Sequence, residues 1–264
     1  MAKLSISKAW DETREVLRRD GKLLATVALA LIVLPGVVQN MVAPTPVAGQ
    51  LPEAGPWMIV LLVTLLIGLI GQLALVRLAT GPQTTVGEAI THGARRVLVY
   101  VAVAVIVLVP LAFAIVALML WSKKTGEAPG AALAMLVLLG LFIYLFVRFI
   151  ISMAVTSAEP IGPIAVIQRT WSITRGNWWR LFGFVVLYIV AALLVMIAIG
   201  TMIGIIVGIV LGPAEPMSVA ALLITLVTQI AVSAVTVVFV VMIARMYLQL
   251  AHHGAEASVP SSGT

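Results

Sequence analysis

Residues 181–211 read LFGFVVLYIVAALLVMIAIGTMIGIIVGIVL, with no charged side chain anywhere in the run. A helix that crosses the hydrocarbon core of a bilayer needs about 20 predominantly apolar residues, so this stretch reads as a membrane span. Five further stretches qualify on the same grounds: 23–42, 57–79, 97–121, 131–157 and 217–250. The expected fold is an all-α, integral-membrane bundle of six helices. The last two spans are overlong. At about 1.5 Å per residue they exceed a core of about 30 Å and must tilt, bend or project. Pro35 and Pro110 predict kinks inside spans 1 and 3.

Composition agrees with this reading. Of the 264 residues, 62% are hydrophobic and 10% charged, against roughly 25% charged in soluble domains. There are no cysteines, which excludes disulfides, thiolate metal sites and cysteine nucleophiles. A net charge of +6 and a pI near 10.1 fit anionic headgroups rather than nucleic acid, because no basic run lies in a segment polar enough for a soluble binding domain. About twenty charged, amphipathic residues precede the first span, and no small-residue cleavage site follows it, so that span is expected to be retained rather than removed as a signal.

A short amphipathic unit recurs around the spans. Ile6, Trp10, Thr13, Arg14 and Arg19 return 161 residues later as Ile167, Trp171, Thr174, Arg175 and Arg180. Between them, Ile90-Thr91-His92-Gly93 echoes Ile173-Thr174-Arg175-Gly176 at an offset of 83, which pairs Thr13 with Thr91. The expectation is a single transmembrane domain over 1–251 with an approximate threefold internal repeat (about 4–80, 84–158 and 162–250), followed by a disordered tail at 252–264. Each copy opens with a cytoplasmic amphipathic helix expected to lie in the interface plane. Ile6, Trp10, Thr13 and Leu17 form its apolar stripe in the first copy, and Ile164, Ile167, Trp171, Thr174 and Trp178 in the third. Thr85-x-x-Glu88 resembles a capping box. Asp20-Gly21, Gly93 and Gly176-Asn177 are expected to be the turns that end these helices.

Orientation follows from the basic residues. Fourteen of the 16 Lys and Arg lie on the side of both termini, and only Lys123 and Lys124 lie on the other. The positive-inside rule places both termini in the cytoplasm. The connectors on the opposite side, 42–56, 121–130 and 212–216, are too short for domains.

Several side chains stand out as candidates. Gly200, Gly204, Gly208 and Gly212 share one helical face and let backbones approach closely; the expected use is packing against another span of the chain, with a homodimer contact or the wall of a substrate path as alternatives. Thr225, Gln229, Ser233 and Thr236 form a polar stripe on span 6, and span 2 offers Thr64 and Gln72. These read as interhelical glue, or else Gln72 and Gln229 line a polar cavity. Arg148 and Arg245 lie inside spans 4 and 6, where they either snorkel to the headgroups, join a buried cluster with Glu159 or bind a lipid phosphate. No acidic residue lies in the core of a span, which counts against a proton- or sodium-coupled transporter.

Headgroup contacts are expected from Arg14, Arg19, Arg95, Arg96, Arg169, Arg175 and Arg180, with Trp171 and Trp178 beside them. His92, His252 and His253 lack metal-pair spacing. No Ser/His/Asp set, P-loop or nucleotide-binding glycine turn is present. Neither a metal, a cofactor nor an enzymatic activity is expected.

The run Ala158-Glu159-Pro160-x-Gly162-Pro163-Ile164, followed by Arg169-Thr170-Trp171-x-Ile173-Thr174-Arg175-Gly176-Asn177-Trp178-Trp179-Arg180-Leu181, is similar to a sequence of bacterial polytopic proteins. That group includes the YciC-like proteins and the membrane domain fused to some glycerophosphoryl diester phosphodiesterases. The resemblance implies a shared membrane architecture. It does not imply hydrolase activity, because the catalytic phosphodiesterase barrel is absent. The expected role is non-enzymatic: a protein that interacts with lipids, anionic ones preferred, or scaffolds a membrane-protein partner or a second copy. A permease for a small or lipid-like substrate is the alternative.

Overall fold

The computed structural model describes residues 4–44, 53–81, 84–125, 129–212 and 218–256, and every regular element among them is helical. Nine α-helices follow in chain order. Helix α1 (Ile6–Ala28) runs through a π-helical turn (Leu29–Val33) into α2 (Leu34–Val42). The others are α3 (Trp57–Thr80), α4 (Val86–Thr125), α5 (Pro129–Phe149), α6 (Ser152–Ala158), α7 (Pro163–Thr174), α8 (Trp178–Leu211) and α9 (Val219–Glu256). Six helical segments are long and apolar enough to cross a membrane: Ile6–Val42, Trp57–Thr80, Val86–Ser122, Gly130–Ala158, Trp178–Leu211 and Val219–Ala251. Residues 45–52, 126–128, 213–217 and 257–264, which hold much of the expected connectors and most of the expected tail, lie outside the described residues. Helix α9 runs on through residues 252–256, so those five are helical rather than disordered.

Local chemistry explains the helix ends. The Ser5 side chain caps α1 by accepting from the Lys8 amide. Thr85 and Glu88 close a reciprocal capping box: the Thr85 amide donates to Glu88 Oε2 at 3.0 Å and the Glu88 amide to Thr85 Oγ1 at 3.3 Å. Pro163 occupies the first turn of α7. The π turn ends two residues before Pro35, which lacks an amide hydrogen and crowds the carbonyl four residues back, inside that turn.

Of the three expected turns, only Gly176-Asn177 is one. Gly176 adopts φ 84°, left-handed backbone that favours glycine, between α7 and α8. The helix continues through Asp20-Gly21 and through Gly93. At Gly93 the missing side chain serves close packing instead: a Cβ there would sit 2.6 Å from the Ile70 carbonyl oxygen and 3.3 Å from the Ala74 amide nitrogen of α3. The first two amphipathic segments therefore continue straight into their spans.

The buried faces of α1 and α7 coincide only in part with the expected stripes: Thr13 and Thr174 are buried, and Ile6, Leu17, Ile167 and Trp178 pack half-buried against the core. Ala9, Thr13 and Val16 face the bundle in α1, and Val166, Thr170 and Thr174 do so in α7. Trp10, Ile164 and Trp171 are exposed. Small residues let helices approach closely, while bulky apolar groups meet no penalty where lipid is the solvent. Thr13 and Thr174 are both buried, but Thr91 is exposed, with Ala89 and Gly93 buried on either side of it. The core concentrates at the basic end of the bundle, where Leu73 to Val76, Ala154, Val155, Leu181 and Val240 to Ala244 are almost fully buried.

Candidate functional site

Three helices end at the basic end of the bundle, and each presents carbonyls that its own turns cannot satisfy. Arginines from other helices take them. Arg245 of α9 donates to the Ala79 carbonyl in the last turn of α3 at 2.6 Å. Arg96 of α4 donates to Thr156 in the last turn of α6 at 2.8 Å, and beyond it to Glu159 and to Ile161 at 3.1 Å. Arg148 of α5 donates to Trp171 in the last turn of α7 at 3.1 Å. A cation at a helix C-terminus also complements the macrodipole, so charge and hydrogen bonding act together. Arg180 donates to the Leu4 carbonyl at 2.9 Å, and the Asn177 side chain accepts from the Leu4 amide at 3.2 Å, joining α8 to the start of α1.

The Ala158-Glu159-Pro160-x-Gly162-Pro163 segment is the centre of this arrangement. The Glu159 carboxylate accepts from Arg169 Nε and from the Tyr247 hydroxyl, both at 2.9 Å. His92 Nε2 lies 2.8 Å from the Ser157 carbonyl, which requires the proton on that nitrogen. Ser157 Oγ donates to Leu73. Helices α3, α4, α7 and α9 thus all fasten the end of α6 or the linker that follows it.

Arg148 neither snorkels nor meets Glu159. It is only 6% exposed. Its guanidinium carbon lies 3.7 Å from the Trp171 ring centroid, and Nη1 donates to the Tyr144 hydroxyl at 2.9 Å. Tyr144 stacks on Trp178, whose indole donates back to the Tyr144 carbonyl. A desolvated cation–π pair contributes about 2 kcal/mol, and the box partners both terminal nitrogens of the guanidinium while Nε is buried without a hydrogen bond. Neither Tyr144 nor Tyr247 was singled out by the sequence; the only signal was an arginine spaced four residues from a tyrosine inside an apolar run.

The nine expected headgroup residues divide accordingly. Arg96, Arg169 and Arg180 hold protein partners, Arg19 pairs with its neighbour Asp20 at 2.8 Å, and Trp178 is packed in the aromatic box. Arg14, Arg95 and Arg175 are exposed, and their side chains make no hydrogen bond or ion pair among the described residues. Trp171 presents an exposed edge, and Trp179 beside it is 76% exposed.

The polar candidates inside the spans do not converge. Gln229 packs against span 1: its Nε2 donates to the Gly36 carbonyl at 3.4 Å, and a Cβ at Gly36 would sit 2.5 Å from its Oε1. Gln72 lies elsewhere, on a cavity among α3, α4, α5, α6 and α9. Gln229 does not line that cavity. Ser233 is buried, and Thr225 and Thr236 are half-buried, the latter bonding back to the Val232 carbonyl. The glycine stripe does not pack within the chain as expected. A Cβ at Gly200, Gly204, Gly208 or Gly212 meets nothing within 4 Å, because the glycine face of α8 points away from the rest of the chain; Leu181, Phe184 and Val185 near its start and Val207 further along are the residues it buries. Among the described residues no cluster of His, Asp and Glu is arranged to hold a metal.

Six apolar helices with a packed, arginine-capped core at one end define a multi-pass helical membrane protein. Residues 4–250 match the family described as Domain of unknown function (DUF7847), and the chain belongs to that family. No curated protein and no solved structure matches it.

Proposed function

We propose that this is a non-enzymatic, lipid-interacting protein of the bacterial inner membrane, with both termini in the cytoplasm and an exposed arginine rim that binds anionic headgroups. The observation that carries this reading is the division of the arginines. Arg96, Arg148, Arg180 and Arg245 are consumed by backbone carbonyls. Arg14, Arg95 and Arg175, one on each amphipathic segment, are left exposed on the side rich in basic residues. Exposed Trp10, Trp171 and Trp179 flank two of these positions and suit the headgroup level.

In this reading the three segments are the interfacial elements of a threefold internal repeat. The 158–181 motif supports wider kinship with the YciC-like group. The segments are not equal in charge. Asp11, Glu12, Glu15 and Asp20 offset most of the positive charge of α1, whereas no acidic residue lies within 163–180. Arg175 therefore carries more of the attraction than Arg14.

The test is thermal unfolding of the purified protein with phosphatidylglycerol or phosphatidylcholine added. Each arginine near an anionic surface contributes about 1 kcal/mol, so phosphatidylglycerol should stabilise the parent more. The gain should shrink at high salt as the Debye length falls to about 3 Å. Replacing Arg14, Arg95 and Arg175 together by Gln should remove most of it, with Arg175→Gln the largest single effect. Equal stabilisation of the triple variant and the parent refutes the rim.

A further inference from the structure

The cavity beside Gln72 has a volume of about 240 Å³, and its polar groups are gathered at one end. There Gln72 of α3 lies with Tyr100 of α4 and Ser152 of α6. No hydrogen bond to the Gln72 side chain exists among the described residues. Beyond this end the lining is apolar, reaching Leu111 on α4 and Phe142 on α5. The eleven steps from Tyr100 to Leu111 rise about 16 Å along the helix, so the cavity is a slot along the membrane normal rather than a sphere. Leu108, Phe142 and Phe146 at its margin are 50%, 39% and 49% exposed, which sets its mouth between α4 and α5 on the lipid-facing surface.

These features select the occupant. No Asp, Glu, Lys or Arg lines the cavity, so a charged head has no counter-ion in a low-dielectric site, where an unpaired charge is costly. An amide with an unused donor pair and an unused acceptor calls for a group that can both accept and donate. An apolar slot open to the bilayer admits an alkyl chain from the side, without passage through water.

From this we infer that the cavity is a binding site for an uncharged, hydroxyl-bearing lipid, such as a long-chain alcohol or a monoacylglycerol, with its chain along α4 and α5 and its hydroxyl on Gln72. This deepens the lipid-interacting reading proposed above and uses residues separate from the arginine rim.

Monoolein is the probe, and oleic acid held anionic at high pH and a C18 alkane are its comparators. Native mass spectrometry of the detergent-purified protein counts bound molecules, and thermal unfolding follows titration with each probe. The parent should retain one monoolein and be stabilised by it, and should take up oleate and the alkane at least about tenfold more weakly. Gln72→Leu should weaken monoolein about three- to tenfold, the cost of one neutral hydrogen bond, and leave the alkane unaffected. Ala104→Phe or Val107→Phe, which fill the slot from α4, should abolish one-to-one retention. Two such variants guard against a fold defect in either, and unchanged elution volume and phosphatidylglycerol-dependent stabilisation show that the fold and rim survive. Undiminished monoolein binding in both filled variants places the lipid on the outer surface and overturns the site. Equal binding of alkane and monoolein, or no effect of Gln72→Leu, overturns the hydroxyl-bearing class. Loss of phosphatidylglycerol dependence in the rim variant, with monoolein retention intact, bears on the rim alone.

Discussion

Replacing glycine by alanine should have opposite signs at two positions of the same type of helix. In a helix interior alanine is favoured over glycine by about 0.8–1.0 kcal/mol. At Gly21 nothing lies within 4 Å of the new Cβ, so only that gain operates and Gly21→Ala should stabilise the protein by up to about 1 kcal/mol. At Gly93 the Cβ would stand 2.6 Å from the Ile70 carbonyl oxygen and 3.3 Å from the Ala74 amide nitrogen. Both belong to the backbone of α3, so no side-chain rotation relieves the clash, and α3 and α4 must separate. Overpacking of this kind costs about 1–3 kcal/mol, which exceeds the propensity gain over most of its range. Gly93→Ala should therefore be net destabilising by up to about 2 kcal/mol. At about 2–4 °C per kcal/mol for a chain of this size, the two variants should straddle the parent by several degrees. Thermal unfolding in detergent, followed by the fluorescence of the six tryptophans, measures this directly. Should Gly93→Ala unfold at or above the temperature of Gly21→Ala, the reading of Gly93 as a close-approach glycine is wrong.

Arg96→Gln should lower stability by about 2–4 kcal/mol, because several carbonyls at the end of α6 lose a charged donor at once; Arg96→Lys should recover little of it, since an ammonium cannot reproduce the guanidinium fork. Unfolding temperatures of the two variants decide this. Tyr247→Phe should cost about 1–2 kcal/mol by removing one of the two donors to Glu159, and the loss should be much smaller in a Glu159→Gln background, as a double-mutant cycle would show. Gly204→Leu should leave the unfolding temperature within about 1–2 °C of the parent, since a side chain there meets no other part of the chain; a larger fall accompanied by a lower oligomeric mass in light scattering would reveal a second copy on that face.

The spans were legible in the sequence because membrane insertion depends on a local quantity, the length of an uninterrupted apolar run. Residues 23–42 and 181–211 lie inside helices found at those places, and the Thr85–Glu88 capping box closes as its spacing implies. Such features need only neighbours within one or two turns. The Gly176-Asn177 break was legible for the same reason.

Tertiary structure alone decided what the same residue types do elsewhere. Glycine at 176 bends the chain, at 93 admits another backbone, and at 204 faces open space; the three are indistinguishable by composition and differ only in what lies across from them. Arg148 and Arg175 are both arginines near the basic end of the bundle, yet one is enclosed by Trp171 and Tyr144 and the other is exposed. Periodicity assigned Trp10 and Trp171 to an apolar stripe, but it could not say whether protein or lipid would cover them. In a membrane both are apolar, so hydrophobicity stops distinguishing inside from outside. Shape decides instead: small Ala9, Thr13, Thr170 and Thr174 pack inward, and the bulky rings turn out.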